Sequence, residues 1–211
     1  MTDAALPRDE LVGRVSNAVE GGVDLVQLRD KSLPGGRLLD LACSVREALD
    51  GRAKLVVNER IDVALAAGVH GVQLGEEGVP VAEARKILGN GLLIGRSVHS
   101  TEVAVQAELD GSDFLVVGTM YGSRSHPGEV PAGPGLMEEI SKKCHLPLIG
   151  IGGVVPENTA ELIESGASGV AVITNILAAE NPRTAAERLK DILIVSWNAR
   201  MNPADLGNGD G

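Results

Sequence analysis

The sequence predicts an α/β fold, a TIM-type (β/α) barrel whose first strand is missing or truncated. Three observations predict it. Helical and strand patterns alternate along nearly all of the 211 residues, in Gly-bounded units of roughly 20–30 residues, as parallel sheets require. One phrase recurs as GGVDLVQL, AGVHGVQL, DGSDFLVV and SGASGVAV. Each copy is a helix end, a glycine turn and a buried strand, and such regularity favours a barrel over a doubly wound sheet. The chain is 44% hydrophobic but has one Phe, one Tyr and one Trp. Its core is therefore Val, Leu, Ile and Ala, as in strands covered on both faces.

The elements follow in order. Residues 9–20 read as a helix, with Leu11, Val12, Val15, Ala18 and Val19 at helical spacing and Gly21-Gly22 ending it. The strand 23–28 carries Val23, Leu25, Val26 and Leu28. A helix over 33–49 presents Leu38, Leu41, Ala42 and Val45, and a strand over 54–57 ends at Asn58-Glu59-Arg60. The helix 61–67 closes at Gly68, and the strand 71–74 ends at Gly75-Glu76-Glu77-Gly78. Helix 81–88, strand 92–95, helix 101–110 and strand 113–117 follow, then the longest loop, 118–135. Helix 135–144, strand 148–151, helix 157–165, strand 169–173 and helix 183–195 complete the pattern. Seven strands are legible, not eight, because no strand precedes the first helix. A barrel needs that strand to close. Either the chain begins just after it, or residues 1–6 supply a stub. Residues 1–196 read as one domain and 197–211 as a disordered tail, since from Asn198 the chain is Asn, Pro, Gly and Asp without periodicity.

A net charge of −10 and a pI near 4.9 argue against a nucleic-acid surface. They do not exclude a local basic pocket for a small anion. Cys43 and Cys144 form no CxxC and no disulfide framework, which suits a reducing compartment. There is no signal-peptide pattern and no apolar run long enough to span a membrane. These features predict a cytoplasmic protein that acts on small molecules, and they leave its oligomeric state open.

Polar residues gather where barrel chemistry belongs, at the carboxyl ends of strands. Gln27, Arg29, Asp30 and Lys31 crowd the end of the strand 23–28. Two cations there make an anion site; the alternative is a solvated basic edge neutralised by Asp30. Farther on, Gly150-Ile151-Gly152-Gly153-Val154 precedes a helix, and Ile173-Thr174 ends the next strand. Glycines let backbone N–H groups approach an anion, and a helix start adds positive potential. The last two strand ends of such barrels often bind phosphate; the alternative is a plain tight turn.

From residue 10 to 193 the chain resembles the thiamine phosphate synthase and thiazole tautomerase superfamily of β/α barrels. The resemblance is carried by VQLRDK, NERIDVALAAGVHGVQLGEE, IGRSVHSTEVAVQAELDGSDFLVVG and PLIGIGGVVPENTAELIESGASGVAVIT, in that order and spacing. It implies coupling of hydroxymethylpyrimidine diphosphate to a thiazole phosphate, with loss of pyrophosphate and help from Mg²⁺. By resemblance Gln27 contacts the pyrimidine. Arg29, Lys31 and Asn58 hold the diphosphate, and Ser97 faces the reacting centre. Gly153, Ile173 and Thr174 hold the thiazole phosphate, Thr replacing the usual Ser. The family's Thr-x-Thr-Lys loop becomes Ser123-Arg124-Ser125-His126, keeping its hydroxyls and exchanging lysine for histidine. The family's Asn-Asp reads Asn58-Glu59, and its second metal carboxylate falls on Gly78, beside Glu76 and Glu77. Glu59 and Glu77 are thus the candidates for Mg²⁺. The resemblance makes Arg29, Lys31, Ser97 and His126 the catalytic candidates. It makes Gln27, Asn58, Ser123, Ser125, Gly153, Ile173 and Thr174 the substrate-binding ones.

Two other readings compete. A tautomerase-like enzyme needs no metal and moves one proton on a thiazole carboxylate phosphate. The tautomerase's catalytic histidine position holds Thr119, and His126 lies in the same loop. A non-catalytic barrel would keep the phosphate site and lose the metal carboxylates. His70, His99 and His145 are expected in structural roles, and no histidine pair has metal-ligand spacing.

Overall fold

The computed structural model describes residues 1–2, 6–122 and 130–202. Seven parallel strands lie in sequence order: β1 (Leu25–Leu28), β2 (Lys54–Asn58), β3 (Gly71–Leu74), β4 (Leu93–Val98), β5 (Phe114–Val117), β6 (Leu148–Ile151) and β7 (Gly169–Ala171). The helices between them are α1 (Arg8–Glu20), α2 (Gly35–Leu49), α3 (Ile61–Ala67), α4 (Val81–Leu88), α5 (Thr101–Leu109), α6 (Gly133–Ser141), α7 (Pro156–Glu164), α8 (Thr174–Leu177) and α9 (Pro182–Met201). This is the β/α barrel the pattern predicts, one strand short of closure. Among the described residues, hydrogen-bonded ladders join each strand to its sequence neighbours, and none joins β1 to β7.

Period-two alternation sorts the strand residues between helix layer and barrel interior. Val26, Leu28, Leu55, Val57, Val72 and Leu74 pack outward with α1 to α4, and Leu115, Val117, Met137, Leu148 and Leu162 form a second cluster around α6 and α7. The intervening positions face inward. The register sets Gln27 beside Val56, Asn58 beside Gln73, Gln73 beside Gly95, and Ser97 beside Val116. Gly95 has to be small: a Cβ there would strike the Gln73 amide and the Phe114 ring.

Where β1 and β7 fail to meet, a cavity of about 670 Å³ enters the barrel, lined by Leu25, Val56, Phe114, Val116, Ile149 and Val170 among others. A complete barrel fills this space with layered side chains. Met1 and Thr2 bridge the gap at its carboxyl end. The Met1 ammonium donates to Val172 O at 3.1 Å, and Thr2 N donates to Gln27 O at 2.8 Å. Met1 and Thr2 lie in the stretch 1–6 expected to supply a stub, of which Leu6 is also described and packs against the core.

Several boundaries move. Strand β4 runs through Val98, so Arg96 and Ser97 lie inside a strand instead of after one. Strand β7 stops at Ala171, and the turn α8, absent from the expected pattern, begins at Thr174. Helix α9 continues past Val195 to Met201, so residues 197–201 are helical and not part of the expected tail. Arg200 secures that last turn by donating to Ile163 O and Ala167 O, both at 3.1 Å. No helix among the described residues is long and apolar enough to cross a membrane.

Candidate active site

Strand β1 delivers Gln27 to the barrel interior, 8% exposed, where its Nε2 donates to Asn58 Oδ1 at 3.0 Å. Both residues sit at the carboxyl ends of adjacent strands, so the bond ties the β1 and β2 rims together. Arg29 follows β1. Its backbone N donates to Thr2 Oγ1 at 2.9 Å, and the Thr2 hydroxyl in turn donates to Arg29 O at 3.3 Å. Asp30 does not neutralise the neighbouring cations. Its Oδ1 accepts from Ser32 N at 2.8 Å, Ser32 Oγ at 2.6 Å and Leu33 N at 3.2 Å, turning the chain into α2. Among the described residues, the Arg29 guanidinium and the exposed Lys31 ammonium have neither hydrogen-bond nor ion-pair partners. The solvated edge paired with Asp30 is therefore not what forms.

Glu59 sits directly after β2 with φ 62°, a left-handed conformation that costs energy for a residue with a Cβ. Its N donates to Gln73 O at 2.9 Å, and its Oε1 accepts from Gly75 N at 2.5 Å. The carboxylate thus reaches over to the turn between β3 and α4. On that turn Glu76 is held against His99 Nδ1, and Glu77 is exposed. Arg96 clamps the turn from β4, donating to Glu76 O at 2.5 Å and Val79 O at 3.0 Å. Among the described residues no group of three or more His, Cys, Asp or Glu side chains gathers as a metal cage. Glu59 and Glu77 do not converge in such a cluster.

Ser97 lies inward on β4, and its Oγ accepts from Gln73 Nε2 at 3.2 Å. Gln73, which sequence reasoning did not single out, shares this inward face. It is 2% exposed, and its Oε1 has no hydrogen-bond partner among the described residues. A buried amide oxygen without a donor is uncommon in folded proteins. The signal was present: LVQL and GVQL end β1 and β3 with glutamine in the same inward place.

On the far side, Gly152 and Gly153 have φ of 94° and 61°. A Cβ on Gly153 would meet Tyr121 O at 2.7 Å, and Tyr121 N donates to Gly152 O at 2.9 Å. These glycines seat the segment after β5. The Tyr121 hydroxyl donates to Glu161 Oε2 at 2.7 Å, and burial beside that carboxylate raises its pKa well above the phenol range. Asn175 donates to Val154 O, joining the β6 and β7 rims, while Ile173 caps α8 and Thr174 opens it, exposed. Ser123, Ser125 and His126 lie outside the described residues.

Of the other histidines, His70 Nδ1 accepts from Leu55 N at 3.0 Å, and His145 is 92% exposed near Glu108. Both are structural or solvated, as their sequence positions imply. His99 differs, since it stands on the rim beside Glu76.

Comparison with known proteins matches residues 1–176 to the family model described as thiamine monophosphate synthase. The thiamine-phosphate synthase of Methanoculleus marisnigri is 41% identical over 201 residues, covering 90% of this chain and 94% of its own. That of Natronomonas pharaonis is 41% identical over 181 residues, covering 84% and 85% respectively. The solved thiamine phosphate pyrophosphorylase from Pyrococcus furiosus superposes with a TM-score of 0.84 at 34% identity, over 92% of this chain and 94% of that one. The chain belongs to the thiamine monophosphate synthase family.

Proposed function

We propose that the protein is a transferase that joins hydroxymethylpyrimidine diphosphate to thiazole phosphate, forming thiamine phosphate and releasing pyrophosphate. The observation that carries this reading is the pair of cations Arg29 and Lys31, unneutralised among the described residues, beside the bonded amides Gln27 and Asn58. Unpaired cations at a strand end are a ready site for a diphosphate, and amides in the interior suit a heteroaromatic ring bearing both donors and acceptors. In the reaction the carbon–oxygen bond to pyrophosphate breaks, leaving a methylene cation on the pyrimidine. The thiazole nitrogen then closes the new carbon–nitrogen bond. Arg29 and Lys31 stabilise the charge that grows on the departing oxygen. The amides of Gln27 and Gln73 and the hydroxyl of Ser97 present a dipolar wall to the cation. Gly153 and Thr174 hold the phosphate of the nucleophile, so that both partners stay in place during the step.

Mg²⁺ is compatible with the residues present, because it binds through one or two carboxylates and completes its shell with water and substrate phosphate. Glu59 would hold it, and it would supply further positive charge to the leaving group. Two unpaired cysteines and the absence of a long apolar helix among the described residues suit a cytoplasmic enzyme. The test is direct: incubation with both substrates and Mg²⁺ yields thiamine phosphate, and EDTA suppresses it. A folded protein that forms none would overturn the reading. Isomerisation of a thiazole carboxylate phosphate, insensitive to EDTA, would put the tautomerase chemistry in its place.

A further inference from the structure

Gly78 is a glycine for lack of room, and what takes the room is Glu59. The φ of Gly78 is not among the left-handed ones, so its backbone suits any residue. A Cβ built on it collides with Glu59 Oε2 and lies 3.0 Å from Glu59 Cδ. Gly75, on the same turn, meets Glu59 Oε1 in the same way and also donates its N–H to that oxygen at 2.5 Å. The carboxylate therefore fills the volume over residue 78 and is pinned there by one amide. The left-handed backbone of Glu59 aims it across. Glu76 is engaged with His99, which leaves Glu59 as the carboxylate anchored between the two rims.

We propose that Glu59 and Gly78 are one unit: the longer carboxylate occupies the place of a residue-78 side chain and serves alone as the anchored carboxylate ligand for the cation that accompanies the diphosphate. This rests on the synthase reading. The resemblance pairs an aspartate after the second strand with another at position 78. Here one methylene is gained at 59 and a whole side chain given up at 78, so one charge does the work of two. The two positions are then coupled. Any side chain at 78 displaces the Glu59 carboxylate, which sits at the flexible end of its chain and moves without unfolding the protein. Shortening Glu59 to Asp withdraws it from Gly75.

The experiment is a double-mutant cycle on the full chain with two readouts besides turnover. One is amide exchange at Gly75 in metal-free protein, and the other is Mn²⁺ binding in the presence of inorganic pyrophosphate. Gly78→Ala and Glu59→Asp each speed Gly75 exchange and weaken Mn²⁺ binding about tenfold, the loss expected for a disturbed ligand. Gly78→Ala adds less than about twofold to Glu59→Asp, because the contact is already gone. The pair Glu59→Asp with Gly78→Asp restores Mn²⁺ binding by seating two short carboxylates. Additive losses in the cycle, or Gly78→Ala with unchanged exchange and binding, overturn the proposal. A chain that shows the coupling yet makes no thiamine phosphate would refute the synthase reading alone. A chain that makes it but shows additive losses would refute the coupling alone.

Discussion

At the residue scale, the cations of the β1 rim stand out for having no ion-pair partner among the described residues. Asp30 is spent on the turn into α2, so Arg29 and Lys31 are left without a counter-charge among the described residues. Arg29→Ala is expected to lower kcat/KM for thiamine phosphate formation by about 10²-fold, the scale of losing one charge-stabilising donor. Urea unfolding should shift by less than about 0.5 kcal/mol, since the guanidinium has no hydrogen-bond or ion-pair partner among the described residues. A variant with wild-type kinetics would remove this stretch from the site. Asp30→Ala should do the reverse in part. It leaves the N–H groups of Ser32 and Leu33 without their acceptor and costs about 1 kcal/mol in urea unfolding. An unchanged midpoint would show that the turn holds without its carboxylate.

At the scale of elements, strands set direction and turns set function. Leucine and valine alternation forces Gln27, Asn58, Gln73 and Ser97 to one side of the sheet, because the opposite side is taken by helices. The rim turns are then tied in pairs: Gln27 to Asn58, Glu59 to Gly75, Arg96 to the turn after β3, Asn175 to Val154. Helix α9 is secured similarly at its far end. Its last turn carries exposed Met201 and depends on Arg200 binding the carbonyls of Ile163 and Ala167. Arg200→Ala should cost about 1 kcal/mol and speed amide exchange in that last turn. Exchange rates equal to wild type would show that the turn holds without Arg200.

At the scale of the molecule, the gap between β1 and β7 is bridged at one end by Met1 and Thr2. Burial lowers the Met1 ammonium from 8.0 to about 6. The unfolded chain therefore binds more protons than the folded one between those values, and stability rises as pH increases from about 6 to 8 and then levels off. The full effect approaches about 3 kcal/mol if the shift is two units. Urea unfolding at pH 6, 7 and 8 reads it, and acetylating the amine should abolish the slope. A slope that persists after acetylation would assign it to another group.

Much of this was legible in one dimension. The alternation of periods and the recurring glycine turns determined a barrel, and strand direction placed Gln27, Arg29, Asn58 and Ser97 toward its carboxyl end. The sequence also determined that one strand was unaccounted for. Only the tertiary structure decided which polar groups are free. Asp30 was adjacent to two cations in sequence, yet local backbone donors claimed it first. Gln73 looked like one more strand residue until its inward place left an oxygen without a donor among the described residues. Gly78 looked like a lost ligand, and in three dimensions it is the room that Glu59 uses. Side-chain reach and competition between partners are properties of volume and proximity, and spacing along the chain does not encode them.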